Sequence, residues 1–101
     1  HLLVVPKQHY QYLTDMENND VAQLFEIVNM LSKHVWKTVN ADGLNISQSN
    51  GLAASQDIFH VHIHVIPRFI NDTDNDSWPS RKITTEQELD NLASQIKSSL
   101  N

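Results

Sequence analysis

Phe59 to Pro67 alternates without a break, with Phe59, Val61, Ile63 and Val65 at odd positions and His60, His62 and His64 at even ones. Successive side chains of an extended strand point to opposite faces, so a period of two predicts a strand with an apolar face on a core and an imidazole face turned away from it. Histidine is not a favoured residue of a strand surface, and three in register argue against chance. Neighbouring rings on such a face stand about 6.7 Å apart in backbone and the outer pair about 13 Å, so one ion cannot easily take all three. Two adjacent histidines could bind a metal with carboxylates from elsewhere, since His-x-His is a frequent ligand pair. Alternatively, a neutral imidazole nitrogen could attack phosphorus while its neighbours orient the ring and meet the phosphate charge. On spacing alone the metal and the nucleophile readings stand level.

The rest of the chain supplies a frame for that strand. With 101 residues, 40% of them apolar, it is long enough for one compact domain and too short for two, so residues 1–101 read as a single unit. The chain opens on His1 and runs directly into Leu2-Leu3-Val4-Val5-Pro6, which looks like a cut inside a domain. Leu2 to Val5 reads as a buried strand, ended where Pro6 removes a ladder donor. From about Glu17 to Asn40, Val21, Leu24, Phe25, Val28, Leu31, Val35 and Val39 recur at helical spacing, Thr14 with Glu17 offers a capping box, and Gly43 follows as a stop signal. Leu44 to Gln48 alternates as a half-buried strand, and Asn50-Gly51 turns it. Asn71 to Ser77 is polar and acidic, as in a surface loop. Leu89, Leu92, Ala93, Ile96 and Leu100 share one face of a final helix that Thr85 and Glu88 could cap. Strand, helix, strand, strand, helix predicts an α+β fold rather than a parallel α/β sheet.

Charge and composition exclude several functions. The formal net charge is −5 and the seven Lys and Arg are scattered, whereas a nucleic-acid surface needs them clustered. No nucleic-acid partner is expected, and a phosphate ligand must be held locally. No run approaches the roughly 20 apolar residues of a membrane span, and no secretory-type start is present. Cysteine is absent, which removes disulfides and thiolate metal sites and allows a reducing compartment; the cytoplasm is the expected location.

His60-Val61-His62-Ile63-His64-Val65-Ile66, followed by Pro67-Arg68, resembles the His-φ-His-φ-His-φ-φ signature of the histidine triad (HIT) proteins. His1-Leu2-Leu3-Val4-Val5-Pro6-Lys7-Gln8-His9 is similar to the family's strand ending in Pro-Lys-x-His. Gly43-Leu44-Asn45, Asn50-Gly51 and Gln56 are similar to its glycine-asparagine strand and phosphate loop, and Trp78-Pro79 to a dipeptide of many bacterial members. The family's opening strands and short helix are missing before His1. The resemblance implies an antiparallel sheet with one long helix and a C-terminal helix, and a reaction at the α-phosphate of a purine nucleotide. It makes His62 the nucleophile that forms a nucleotidyl-imidazole intermediate, later hydrolysed by water. His60 is implied to fix the triad, His64 and the amide of Gln56 to contact the α-phosphate oxygens, His1 to stand near the triad, and Asn45 to serve a structural or phosphate-side role. No cofactor and no metal is implied, because imidazoles and loop amides meet the phosphate charge themselves. A homodimer is expected, with Trp36 or Val39 near the contact.

Other candidates have plainer readings. His9, after Pro-Lys, reads as a turn residue and His34 as a solvated one; Lys7 and Arg68 read as surface cations, and Trp36 and Trp78 as packing residues. Asp57 departs from the family, which commonly carries Ser or Thr at this point as a hydroxyl donor. A carboxylate there would repel an anionic substrate, so either it points away or it marks a branch with altered activity. Two functions follow: a hydrolase of nucleoside 5′-phosphoramidates, with dinucleoside polyphosphates as the next substrate class, or a purine-nucleotide-binding protein with little turnover.

Overall fold

The computed structural model describes residues 1–72. The helix expected around Leu89 to Leu100 with its cap at Thr85 and Glu88, the Trp78-Pro79 pair, and residues 73–77 of the acidic loop lie outside them.

Three strands, β1 (Leu2–Val4), β2 (Gly43–Ser47) and β3 (Ile63–Arg68), form an antiparallel sheet in the order β1-β3-β2. A long helix, α1 (Asn18–Thr38), packs on one face. This is the α+β arrangement read from the sequence. The triad-bearing strand is central: Leu3 stands opposite His64 on one side and Ser47 opposite His64 on the other. Leu2 and Val4, Leu44, and Ile63 and Val65 lie on the sheet face that joins the core, with Val61 just before it, and meet Leu24 and Val28 of α1, Met16, Leu13 and Tyr10. Val61, Ile63 and Val65 lose all solvent contact, and burying side chains of that size contributes about 1.5–3 kcal/mol each.

Helix α1 follows its predicted period. Leu24, Val28 and Val35 are buried, whereas Phe25 remains partly exposed. The position one turn after Val28 is held by Ser32, buried with its hydroxyl unpaired among the described residues. The span of α1, Asn18–Thr38, agrees with the reading of about Glu17 to Asn40, but the capping at both ends differs from expectation. Thr14 lies within a short 3-10 turn, Leu13–Asp15, where the Tyr12 amide donates to the Asp15 carboxylate at 3.1 Å; Glu17 is the cap residue of α1 and makes no side-chain cap bond. The helix stops before Gly43, at Asn40, whose φ of 52° is left-handed. The Ala41 amide then donates to Trp36 O at 3.1 Å and the Asn40 amide to Lys37 O at 3.2 Å, the paired 6→1 and 5→2 bonds of a Schellman ending in which Asn replaces the usual Gly.

The ladder of β3 begins at Ile63, four residues later than the alternation begins. Its last pair with β1 is Val4 with Ile63, and Pro6 then denies the neighbouring segment an amide. Past that point the chain attaches by other bonds: the His60 ring to Pro6 O, and the Val61 amide to Tyr10 O at 2.7 Å. His60 and His62 therefore sit in a bent approach to the strand, not on a flat face.

Candidate active site

His62 is nearly buried, at 6% exposure. Its Nδ1 lies 2.8 Å from His60 O. A carbonyl only accepts, so Nδ1 carries the hydrogen and, in the neutral ring, the lone pair resides on Nε2. The same logic fixes His60. Its Nε2–H donates to Pro6 O at 3.0 Å, which leaves Nδ1 as acceptor for the Nδ1–H of His9, also at 3.0 Å. His9, read from the sequence as a turn residue, thus braces the first triad ring; its spacing after Pro-Lys was the signal available, but only the fold shows that this turn returns to His60.

On the other side, His64 Nδ1 meets His1 Nε2 at 2.8 Å, with ring centroids 5.0 Å apart. The His62 and His64 rings stand edge to face at 5.1 Å and 74°, closer than strand spacing alone gives, because the chain bends before β3. Five of the six histidines are gathered in this way. Burial holds the pKa of His64 below its ordinary value, the neighbouring His62 lowers it further, and Asp57 offsets part of the effect. A neutral His64 can accept or donate according to its tautomer, so this ring can adapt to a group held beside His62.

Asp57 does not point away. Its Oδ1 lies 3.6 Å from Nε2 of His62, the atom that holds the lone pair, while its side chain is 79% exposed. Beside this pair, Leu3, Val5, Ile58, His60 and His62 line an open depression of about 320 Å³. An apolar wall next to a directed imidazole nitrogen suits a ligand with a planar or aliphatic part.

Gln56 and Asn45 are both engaged within the protein, Asn45 in the structural role that was one of its two readings. Gln56 is 1% exposed: its Oε1 accepts from the Gly51 amide at 2.6 Å, and its Nε2 donates to Gln11 O at 2.8 Å and Ile58 O at 3.0 Å. With every polar atom of the side-chain amide spent on backbone, Gln56 pins the loop between β2 and β3 instead of turning that amide to a phosphate. Gly51, at φ 86°, makes the turn that brings its own amide onto Gln56. Asn45, opposite Ile66, gives its carbonyl oxygen to Arg68 Nη1 at 2.7 Å. Arg68 also grips Asp72 with Nε and Nη2 at 2.8 and 2.9 Å, and these bonds, with the Phe69 amide, hold the Asp72 carboxyl down at about 2. Arg68, read as a surface cation, therefore braces the far end of the sheet together with Asn45. Among the described residues, no group of three or more His, Cys, Asp or Glu is placed to hold a metal ion.

Residues 1–71 match the family model described as the HIT domain. The chain is 37% identical over 99 residues to an adenylylsulfatase of Arabidopsis thaliana, covering 97% of this chain and 49% of that protein. It is 32% identical over 101 residues to an adenosine 5′-monophosphoramidase of Schizosaccharomyces pombe, covering 99% of this chain and 72% of that protein. Among solved structures, a hypothetical histidine triad nucleotide-binding protein from Sulfolobus tokodaii superposes with a TM-score of 0.84 at 32% identity, covering 97% of this chain and 67% of the other. The chain spans about half the length of several of the curated relatives it matches.

Proposed function

Because this chain belongs to the histidine triad family, on the match of residues 1–71 to the HIT domain, we propose that it hydrolyses nucleoside 5′-phosphate derivatives at the α-phosphorus, with His62 as the nucleophile. The observation that carries this reading is the His62 Nδ1–H bond to His60 O at 2.8 Å. It commits the lone pair to Nε2 and holds the ring against rotation, which is what covalent catalysis by imidazole requires. Attack by Nε2 gives a nucleotidyl-imidazole; water then takes its place and releases the nucleoside monophosphate. His60 is the positioning residue behind the nucleophile, held by Pro6 O and His9. His64, with His1 behind it, is the group that meets the phosphate oxygens. The substrates are purine nucleoside phosphoramidates first and dinucleoside polyphosphates second. The relatives named for sulfate and amide derivatives of adenosine 5′-phosphate support this class.

The chemistry proposed needs no metal, since imidazoles and amide dipoles supply the charge stabilisation. The partly exposed apolar residues Phe25, Ile27, Met30 and Trp36 of α1 support a homodimer formed through that helix. A second reading, a nucleotide-binding protein with little turnover, is favoured by Asp57, whose carboxylate stands 3.6 Å from Nε2 of His62 and would repel an anionic phosphate there. Hydrolysis of adenosine 5′-phosphoramidate with excess chelator separates the two. Multiple turnovers in chelator support the enzyme, and saturable nucleotide binding without turnover supports the second reading.

A further inference from the structure

We propose that Asp57 sets the leaving-group preference of this site, favouring phosphoramidates, whose departing nitrogen is protonated, over anhydrides, whose departing phosphate is anionic. The inference rests on His62 being the nucleophile. A phosphorus under attack lies about 3–3.5 Å from the attacking nitrogen with the leaving atom on its far side. The Oδ1 of Asp57 is 3.6 Å from that nitrogen, so its charge lies within about 9 Å of whatever departs, close to the screening length of about 8 Å in physiological salt. Among the described residues, the ion-pair partner of Asp57 is His62 itself. Burial disfavours the charged form of His64, so that ring is no fixed cation to cancel the charge. Arg68, the cation of β3, is committed to Asp72 and Asn45.

In the chemical step the Nε2 lone pair forms the new bond to phosphorus. The leaving nitrogen of a phosphoramidate, protonated by solvent beforehand, keeps the electron pair of the broken P–N bond and departs as the neutral amine. Asp57 stabilises the N-protonated form that reacts. With a polyphosphate, the P–O pair goes to an oxygen that is already part of an anion, and the same carboxylate opposes the charge that builds there. Water then attacks phosphorus, the lone pair returns to Nε2, and the proton passes to solvent. Asp57 also faces the cationic ring of the intermediate, but that effect is common to both substrates and cancels in their ratio. An exposed carboxylate acting on opposite charges at this range shifts the ratio by roughly tenfold.

The test is kcat/KM on adenosine 5′-phosphoramidate and on diadenosine tetraphosphate for the protein and for Asp57→Asn, Asp57→Ser and Asp57→Glu, with thermal melting as the folding control. The phosphoramidate-to-polyphosphate ratio is expected to fall about tenfold in the Asn and Ser variants and to stay within about threefold in Glu, which keeps the charge; raised salt should reduce the ratio in the unaltered protein and leave it flat in Asn. An unchanged ratio in both neutral variants, with turnover still dependent on His62, overturns the role of Asp57 and leaves the nucleophile in place. Turnover of neither substrate, or turnover that survives loss of His62, overturns the reading of the site and this inference with it.

Discussion

Gln56 satisfies three backbone groups from three places in the chain, Gly51 N, Gln11 O and Ile58 O, while 99% hidden from solvent. Gln56→Ala leaves all three without their partner. A hydrogen bond of this kind is worth about 1 kcal/mol net, and a buried group left unpaired costs about 1–3 kcal/mol. Water entering the vacated space recovers part of that for groups near the surface, so a loss of about 2–4 kcal/mol is expected. For a domain of this size the melting temperature should fall by about 10–25 °C. Gln56→Glu is the sharper variant: an ionised carboxylate accepts from Gly51 but cannot donate to Gln11 O or Ile58 O, so it should be the less stable near neutrality and recover as acid restores a donor. Urea unfolding at two pH values, with melting curves, measures both variants. Activity should fall with them, because the loop that Gln56 pins carries Asp57 and leads into His60. A Gln56→Ala protein within about 0.5 kcal/mol of the original would refute the reasoning and return the Gln56 amide to the substrate.

Burial and His62 lower the pKa of His64, so the unfolded chain takes up a proton more readily than the folded one just below the ordinary value of about 6.5. The part of stability that depends on His64 is therefore expected to be level above that pH and to decline as pH falls through it; His64→Gln should flatten the decline in urea midpoints below about pH 6.5, and an equal slope there in both proteins would count against it. Ile63→Ala, at a position with no solvent contact beneath α1, should cost about 2–5 kcal/mol in chemical denaturation, and a loss under about 1 kcal/mol would misplace the core. Met30→Asp, on the exposed side of α1, should shift the mass by light scattering from dimer to monomer; a monomer before substitution would remove the proposed interface.

Periodicity carried the fold a long way. The alternation at Val61, Ile63 and Val65 located the central strand, and the spacing of Leu24, Val28 and Val35 located the helix, because burial on one face is the same physical fact in sequence and structure. The limits of elements were less legible. Asn40 ends α1 through a left-handed backbone angle that Asn tolerates, a property of local conformation that a reader watching for Gly43 passes over. The site divided in the same way. His62 and its neighbours were marked by pattern, and their likeness to the HIT signature gave them roles. The support of His60 by Pro6 and His9, the bond of Gln56 to Gln11 and the pairing of Asn45 with Arg68 all depend on contacts between residues 23 to 54 positions apart, which no local pattern encodes, and the tautomer that directs Nε2 depends on a backbone bend that turns the His62 ring onto His60 O. Asp57 was legible as a departure, but its direction toward Nε2 of His62 was not.

The central claim is that Nε2 of His62 forms the bond to phosphorus. The most direct measurement is the turnover of adenosine 5′-phosphoramidate by His62→Asn, with AMP affinity measured in parallel to show that the site is still formed. Removing a nucleophile leaves only what binding and orientation supply, so kcat should fall at least about 10⁴-fold while AMP binds within about tenfold of its original affinity. A rate within about tenfold of the original, at unaltered affinity, would contradict the account.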